Sequence, residues 1–329
     1  MTTTAAIDAT GLVKNFGQLR AVDGVDLEVG QGEIFGVLGP NGAGKTTALR
    51  MLATLLPIDA GQARVFGVDV AREPHRIRQL IGMTGQFASV DEDLTATENL
   101  WMFGRLQGLR SADSRAAAKR LLGQFGLEEA ADKAISQFSG GMRRRLDLAA
   151  SLITRPPLIF LDEPTTGLDP RTRAQMWDTI RELVTEGCTV LLTTQYLDEA
   201  DQLAGRIAVI DRGRKVAEGT PDQLKASVGN STLQLQLAPD ADQELARQIV
   251  RRVAGADPVL TPESGRMNVP LDAADRAADV LIGFREAGVG IASVSVAQPT
   301  LDEVFFAITG HGADPAGEHQ SAEPVLEVQ

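Results

Sequence analysis

A glycine-rich segment near the start of the chain has the spacing of a phosphate-binding loop. It reads Gly-x-x-x-x-Gly-Lys-Thr over residues 39–46, after the apolar run 34–38 and before the helix-like run 48–52. Such glycines let successive backbone N–H groups turn toward one anion, and the start of the following helix adds its dipole. Lys45 can reach the β- and γ-phosphates, and the Thr46 hydroxyl can ligate Mg²⁺. We therefore predict a nucleoside triphosphate site rather than a turn that only caps a helix.

Two adjacent carboxylates, Asp162 and Glu163, follow a second apolar run at 158–161. Carboxylates at the carboxyl end of a buried strand are unfavourable unless something there uses them, and ligands of open parallel sheets collect at that edge. We assign Asp162 to Mg²⁺, directly or through water, and Glu163 to the general base that activates the attacking water. The alternative is an acidic helix start.

A third segment, Phe-Ser-Gly-Gly-Met at 138–142, has the composition of a helix start that can meet an anion. Ser139 suits an N-cap, and Gly140 and Gly141 leave the first backbone N–H groups accessible. An apolar stripe with spacings of 4, 3 and 4 predicts that one face of this helix is buried; its members are Met142, Leu146, Ala149 and Ile153. The arginines at 143–145 lie off the stripe. We interpret them as a solvated face that can also pair with acidic neighbours.

Composition limits the class of protein. The 329 residues carry a formal net charge of −12, which disfavours a nucleic-acid partner because a phosphate backbone repels an acidic surface. The single cysteine, Cys188, excludes an internal disulfide framework and a multi-thiolate zinc site, and its strand-like surroundings favour a small core residue over a nucleophile. The first residues lack the features of a secretion signal, and no apolar run approaches the roughly 18 residues of a membrane span. We expect a cytosolic protein that reaches a membrane only through a partner.

Residues 1–228 resemble the nucleotide-binding domain of ABC transporters, with the family's motifs in order. These are a Walker A loop at 39–47, the Q-loop glutamine Gln86, the signature at 138–142, a Walker B strand at 158–164 and a D-loop with Asp169. The resemblance implies that the nucleotide is bound by Walker A residues Gly39, Asn41, Gly42, Gly44, Lys45, Thr46 and Thr47, with Asp169 also at the site. It assigns Gln86 to the metal and to catalysis. It also implies that Phe16 stacks on adenine, with plain core packing as the alternative.

The same resemblance implies a shared active site. ATP would bind the Walker residues of one chain, while Ser139, Gly140 and Gly141 of a second chain close over its γ-phosphate. Two chains would thus form an ATP-dependent homodimer around two nucleotides, and its closing and opening would move an integral-membrane permease that contacts residues 86–94. The chain would lie at the cytoplasmic face of the cell membrane, attached peripherally through that permease.

One position departs from the family pattern. A histidine usually follows the strand after the D-loop and contacts the γ-phosphate, whereas here the strand 189–194 is followed by Gln195. A glutamine amide can donate a hydrogen bond to a phosphate oxygen but cannot become cationic or carry a proton. We count Gln195 among the catalytic residues and predict normal ATP binding with a modest rate of hydrolysis.

Four segments narrow the resemblance to the daunorubicin/doxorubicin-resistance ATP-binding proteins; they are 85–100, 139–151, 191–214 and 299–306. This resemblance implies that the chain energises antibiotic export in a drug-producing bacterium. Two other classes stay open. One is a soluble ABC ATPase that acts on DNA or ribosomes, and the other is a nucleotide-dependent switch with little hydrolysis.

The predicted fold class is α/β, an ABC-type P-loop core with added parts. Residues 7–29 alternate as antiparallel strands, residues 34–86 and 156–228 supply the core, and residues 87–150 form a helical insert. Residues 229–310 are predicted to be a small α+β domain in β-α-β-β-α-β order, with strands near 233–237, 258–261, 266–270 and 289–297 and helices near 242–254 and 273–287. We interpret Asp302 and Glu303 as a solvated helix face. Residues 311–329 are predicted to be a disordered tail.

Overall fold

A computed structural model describes residues 5–85, 90–228, 231–239, 241–261, 266–271, 275–297 and 299–309. The strands are β1 (Ile7–Phe16), β2 (Leu19–Val29), β3 (Ile34–Leu38), β4 (Ala60–Val65), β5 (Val68–Asp69), β6 (Ile81–Thr84), β7 (Leu158–Asp162), β8 (Thr189–Thr194), β9 (Arg206–Asp211), β10 (Arg214–Gly219), β11 (Thr232–Leu237), β12 (Val259–Thr261), β13 (Arg266–Pro270) and β14 (Ile291–Ala297). The helices are α1 (Lys45–Leu52), α2 (Pro74–Leu80), α3 (Ala96–Leu106), α4 (Ser111–Gln124), α5 (Gly140–Ser151), α6 (Pro170–Thr185), α7 (Leu197–Leu203), α8 (Pro221–Val228), α9 (Gln243–Ala254), α10 (Arg276–Glu286) and α11 (Leu301–Thr309).

A six-stranded sheet forms the centre of the nucleotide-binding part, in the order β10-β9-β3-β8-β7-β6. The pairs β9–β3, β3–β8, β8–β7 and β7–β6 are parallel, and β10 closes one edge as an antiparallel strand. Every residue of β3, β7 and β8 is buried, as expected of parallel strands covered on both faces. This arrangement confirms the predicted fold class, and it brings the carboxyl ends of β3, β7 and β8 to one edge.

A second sheet, β2-β1-β4-β5, lies against the core and is antiparallel throughout. Strands β1 and β2 form a hairpin in which Phe16 pairs with Leu19. Buried and exposed residues alternate along β2. The buried residues belong to one core cluster with residues of β3 and α1. The antiparallel strands predicted over 7–29 are therefore confirmed.

The helical insert contains α3, α4 and α5, which pack together through one apolar cluster. A capping box starts α3, because the Thr95 hydroxyl accepts from the Glu98 amide and the Glu98 carboxylate accepts from the Thr95 amide. On α5, the predicted stripe is buried at Leu146 and Ala149.

The C-terminal part has the predicted β-α-β-β-α-β order, in a sheet arranged β12-β13-β11-β14. Helices α9 and α10 contribute to one core with the inner face of this sheet. Helix α11 then returns to the nucleotide-binding part, where Leu301, Val304 and Phe305 join a cluster with residues of α7 and α8. Asp302 and Glu303 are exposed, as predicted. Within the described ranges, no helix has the length and apolar character needed to span a membrane.

Candidate active site

The glycine-rich loop connects β3 to α1 and depends on two glycines for its path. A Cβ atom at Gly39 would lie 2.1 Å from the carbonyl oxygen of Ile210, so no larger residue fits there. Gly44, the N-cap of α1, has a φ of 104° and a Cβ at that position would lie 2.3 Å from the carbonyl oxygen of Ala21. Both positions therefore require glycine. Of the other predicted Walker A residues, Asn41 and Gly42 are exposed and Thr47 is half-buried in the first turn of α1.

Lys45, the first residue of α1, points its ammonium into the loop. The Nζ atom donates to the carbonyl oxygens of Gly39 at 2.8 Å and Pro40 at 3.0 Å, and it lies 3.6 Å from Oε1 of Glu163. The side chain is 4% exposed. Burial lowers the pKa of Lys45, although the carboxylates of Glu163 and Asp162 oppose this shift.

Asp162, the last residue of β7, is fixed by two hydroxyls. Thr46 Oγ1 donates to Asp162 Oδ1 at 2.8 Å, and Thr193 Oγ1 donates to the same oxygen at 2.6 Å. The second carboxylate oxygen, Oδ2, is buried and has no hydrogen-bond partner among the described residues. Sequence reasoning missed Thr193; the signal was a polar residue near the end of a buried strand that neighbours β7, where it pairs with Asp162.

Glu163 lies in the turn after β7 and has a backbone φ of 49°, which is strained for a residue with a side chain. Its amide donates to the carbonyl oxygen and the hydroxyl of Thr193, at 3.1 and 3.2 Å. The Thr166 hydroxyl donates to Glu163 Oε2 at 3.3 Å. Helix α6 begins only at Pro170, so the alternative of an acidic helix start is wrong.

Gln195 follows β8 directly and is half-buried. Because β8 lies between β3 and β7 in the sheet, Gln195 emerges at the same edge as Lys45 and Glu163. Gln86 lies outside the described residues, so its predicted place in the site stays a prediction.

The signature residues form the exposed start of α5. The hydroxyl of Ser139 accepts a 3.2 Å hydrogen bond from the amide of Met142, which makes Ser139 the N-cap. Ser139 and Gly140 are exposed, and a Cβ at Gly140 would meet nothing within 4 Å. Gly141 is packed closely, because a Cβ there would lie 2.6 Å from Cγ2 of Thr172. The Gly140 position therefore leaves the helix start open to a ligand or a partner.

Asp169 caps α6, the helix after the D-loop. Its Oδ1 accepts from the amides of Arg171 and Thr172, and its Oδ2 accepts from the Thr172 hydroxyl at 2.6 Å. The hydrogen bonds from Thr172 lower the pKa of Asp169. Both oxygens thus bond to the residue's own helix, and the predicted contact with nucleotide stays a prediction.

Phe16, at the end of β1, is 48% exposed, which excludes the alternative of plain core packing. The ammonium of Lys14 lies 5.7 Å from the centre of the Phe16 ring and also donates to Asp59 Oδ1 at 2.8 Å. An exposed aromatic ring at a hairpin end can stack on a planar base.

The arginines at 143–145 are not the solvated face that the sequence suggested. Arg143 pairs with Glu92 at 2.6 Å, and Arg145 donates to the carbonyl oxygen of Phe125 at 2.9 Å. The Arg144 side chain is 12% exposed, and burial lowers its pKa. Its guanidinium donates to four carbonyl oxygens, those of Gly85, Asp162, Glu163 and Pro164. Arg144 therefore connects the signature helix to the turn that carries the two carboxylates.

A strand–loop–helix phosphate site, with a lysine and two carboxylates at the carboxyl edge of a parallel sheet, defines the class of protein as a P-loop nucleoside triphosphatase. Residues 22–166 match the family model of ABC transporters, and residues 219–309 match the model of the C-terminal domain of ATP-binding proteins like DrrA1-3.

Similar proteins agree with both matches. The chain is 51% identical to the daunorubicin/doxorubicin resistance ATP-binding protein DrrA of Streptomyces peucetius, over 97% of each chain. It is 41% identical to the doxorubicin resistance ATP-binding protein DrrA of Mycobacterium tuberculosis, over 92% of this chain and 93% of that one. A solved dimer of an ATP-binding cassette in a post-hydrolysis state, with ADP and phosphate, is 26% identical with a TM-score of 0.60, covering 65% of this chain and 98% of that one.

The chain belongs to the daunorubicin/doxorubicin resistance ATP-binding proteins of the ABC transporters. It is an ATP-binding protein and an ATPase of the ABC type. The recognition made from the sequence motifs is confirmed.

Proposed function

We propose that this chain is the ATP-hydrolysing subunit of a translocase that exports a drug or antibiotic through a membrane permease, and so confers resistance. The observation that carries the proposal is the convergence of Lys45, Asp162 and Glu163 at one sheet edge, within 3.6 Å for the Lys45–Glu163 pair. The names of the relatives, which are daunorubicin and doxorubicin resistance proteins, support the class of substrate.

Each site residue has a role that its position supports. Lys45 and the loop amides bind the β- and γ-phosphates of ATP, and exposed Phe16 stacks on adenine. Glu163 removes a proton from the water that attacks the γ-phosphate. The Gln195 side-chain amide donates to a γ-phosphate oxygen. The hydrogen bonds from Arg144 to neighbouring carbonyl oxygens hold the Glu163 turn in place.

The oxygens of Thr46 and Asp162 fit Mg²⁺, because a hydroxyl and a carboxylate are ligands that this ion prefers. The buried, unpartnered Oδ2 of Asp162 supports this role. In the described part of the chain no three acidic, histidine or cysteine side chains converge on one metal position, so the remaining ligands would come from ATP, water and Gln86. Mg²⁺, when held by Thr46 and Asp162, would supply positive charge that offsets the negative charge of the phosphates.

The exposed start of α5 supports a site that two chains share. Helix α1 already offers its N-terminus to a phosphate, and a second open helix start at Ser139 and Gly140 has the same preference for an anion. An ATP-dependent homodimer places this second start over the γ-phosphate of the partner chain's nucleotide. The dimeric cassette with ADP and phosphate supports this arrangement.

A groove between the core and the helical insert is the surface that we assign to the permease. It has a volume of about 250 Å³ and is lined by Leu55, Met83, Phe103 and Gln107, among others. Leu55 is an exposed large apolar residue, and it adds apolar surface to this groove. Because β6 forms one wall and leads directly to Gln86, a permease segment in this groove would sense the nucleotide. Docking there places the chain at the cytoplasmic face of the membrane.

The test is export by the intact system. The chain is expressed with the proteins encoded beside it, efflux of daunorubicin is measured from cells, and the purified chain is examined for a membrane protein that co-purifies. We expect efflux to require Lys45, so that Lys45→Ala abolishes it. The matched control is Lys119→Ala, which removes an exposed lysine from α4 and should leave efflux unchanged. Equal efflux from the Lys45→Ala strain contradicts the proposal.

A further inference from the structure

A fully buried carboxyl group lies behind the active site. Glu199, on α7, is 0% exposed, and its Oε1 accepts from the Thr165 hydroxyl at 2.7 Å and from the Trp177 indole N–H at 3.3 Å. Its Oε2 makes no hydrogen bond to any described residue. Burial raises the pKa of Glu199 by more than its interactions with Thr194, Thr165 and Trp177 lower it.

The partners of Glu199 belong to different parts of the site. Thr165 lies two residues after the base Glu163, in the same turn. Trp177 lies on α6, the helix that Asp169 caps. Thr194, which directly precedes Gln195, lowers the pKa of Glu199 through its side chain. Its backbone carbonyl oxygen accepts from the Gly39 amide at 3.3 Å.

The Glu163 turn is therefore held from two directions. On one side Arg144 of α5 donates to the carbonyl oxygens of Glu163 and Pro164. On the other side the next residue, Thr165, donates its hydroxyl to Glu199 of α7. A residue at a φ of 49° has a strain of about 1–3 kcal/mol and keeps this conformation only where its surroundings impose it. These contacts supply that constraint.

We propose that Glu199 is a positioning residue for ATP hydrolysis, which holds the Glu163 turn in place relative to Gln195 through its hydrogen bonds with Thr165 and Trp177. The inference rests on the proposed roles of Glu163 and Gln195. A general base acts only within a narrow range of positions, whereas ATP affinity depends on Lys45 and the loop amides. Loss of the Glu199 contacts therefore lowers kcat and leaves nucleotide binding intact.

The experiment compares full-length variants in two assays, ATP turnover and the Kd of a fluorescent ATP analogue. Thr165→Val removes the hydroxyl at nearly constant volume, and we expect kcat to fall about tenfold with the Kd within about twofold. Glu199→Ala removes the acceptor and should have the same effect. Glu199→Gln keeps the Oε1 acceptor and should recover kcat to within about threefold of the unmodified chain. The control is Asp198→Asn, an exposed neighbour on α7 that should leave both values unchanged.

The double variant Glu199→Ala/Thr165→Val tests whether the two residues act through the same hydrogen bond or lower kcat independently. If the two residues act through one hydrogen bond, its kcat is no lower than that of the poorer single variant. Values of kcat within about twofold of normal in Thr165→Val overturn the inference, as does a loss of ATP affinity equal to the loss of kcat. Where Glu199→Ala does not fold, Thr165→Val alone decides. Absence of ATP turnover in the unmodified chain removes the proposed function, and the inference with it, whereas normal turnover with insensitive variants removes the inference only.

Discussion

The Nζ atom of Lys45 and the Oε1 atom of Glu163 lie 3.6 Å apart, although Lys45 begins α1 and Glu163 lies in the turn after β7. This pair joins the phosphate-binding loop to the Walker B turn. Both side chains are largely buried, so their charges interact in surroundings that screen them little. The pair forms because β3 and β7 flank β8 and end at the same edge.

The position of Glu163 predicts a separation of binding from chemistry. Glu163→Gln removes the proton acceptor at nearly constant shape, so ATP should bind with normal affinity while turnover falls by about a hundredfold or more. With hydrolysis blocked, two chains should remain closed around ATP and elute as a dimer in gel filtration.

Glu182→Gln is the matched control, because Glu182 is an exposed carboxylate on α6. That variant should stay monomeric and hydrolyse ATP normally. A Glu163→Gln protein that remains monomeric throughout the millimolar range of ATP contradicts the shared site.

The signature serine offers a variant that separates its local role from its role at the dimer interface. Aspartate caps helices as well as serine does, so Ser139→Asp should preserve α5 and the melting temperature. Its negative charge would face the γ-phosphate of the partner chain's nucleotide and repel it. We expect Glu163→Gln/Ser139→Asp to bind ATP as a monomer.

Ser139→Ala serves as the comparison, because it should lower the stability of the protein without placing a charge at the dimer interface. It loses the hydrogen bond to the Met142 amide, which destabilises the protein by about 1 kcal/mol, but it adds no charge. A dimer of Glu163→Gln/Ser139→Asp as stable as that of Glu163→Gln would show that Ser139 does not meet the nucleotide.

The single cysteine allows a test of burial through its chemistry. Burial raises the pKa of Cys188 to about 12 from 9.0, which lowers the thiolate fraction at pH 8 about a thousandfold. Since the thiolate is the reactive form, the native protein should resist iodoacetamide at pH 8. The same protein in guanidinium chloride should react fully, as mass spectrometry can show. Rapid alkylation of the native protein would contradict the structure around β8.

The sequence predicted the fold best where one local pattern determines one element. The apolar runs at 34–38 and 158–161 match β3 and β7 because a strand covered on both faces must be apolar throughout. The six C-terminal elements also appear in the predicted order, and β11 and β13 show the alternation of strands that are buried on one face. The boundaries of the domains at 228 and 310 stay predictions.

Residues whose surroundings come from distant segments could not be predicted in this way. Arg144 lies off the apolar stripe of its helix, yet carbonyl oxygens from two other segments surround its guanidinium. Glu199 has the sequence pattern of a surface carboxylate, yet inside the protein its Oε1 atom accepts hydrogen bonds from Thr165 and Trp177, which are 34 and 22 residues away. The period of an amphipathic helix predicts which face of the helix is buried, but it does not predict which polar groups lie against that face.

Gln195 gives the last prediction, which concerns the rate of hydrolysis. A glutamine amide can donate to the γ-phosphate but remains neutral, whereas histidine can carry a positive charge toward the transition state. Gln195→His should therefore keep the affinity for ATP and turn ATP over at least as fast as the unmodified chain, measured as phosphate release at saturating ATP. Gln195→Ala, which removes the donor, should be slower than both. A drop of about tenfold or more in Gln195→His would show that the amide has a specific role that histidine cannot replace, and that our explanation of a modest hydrolysis rate by the neutral Gln195 is wrong.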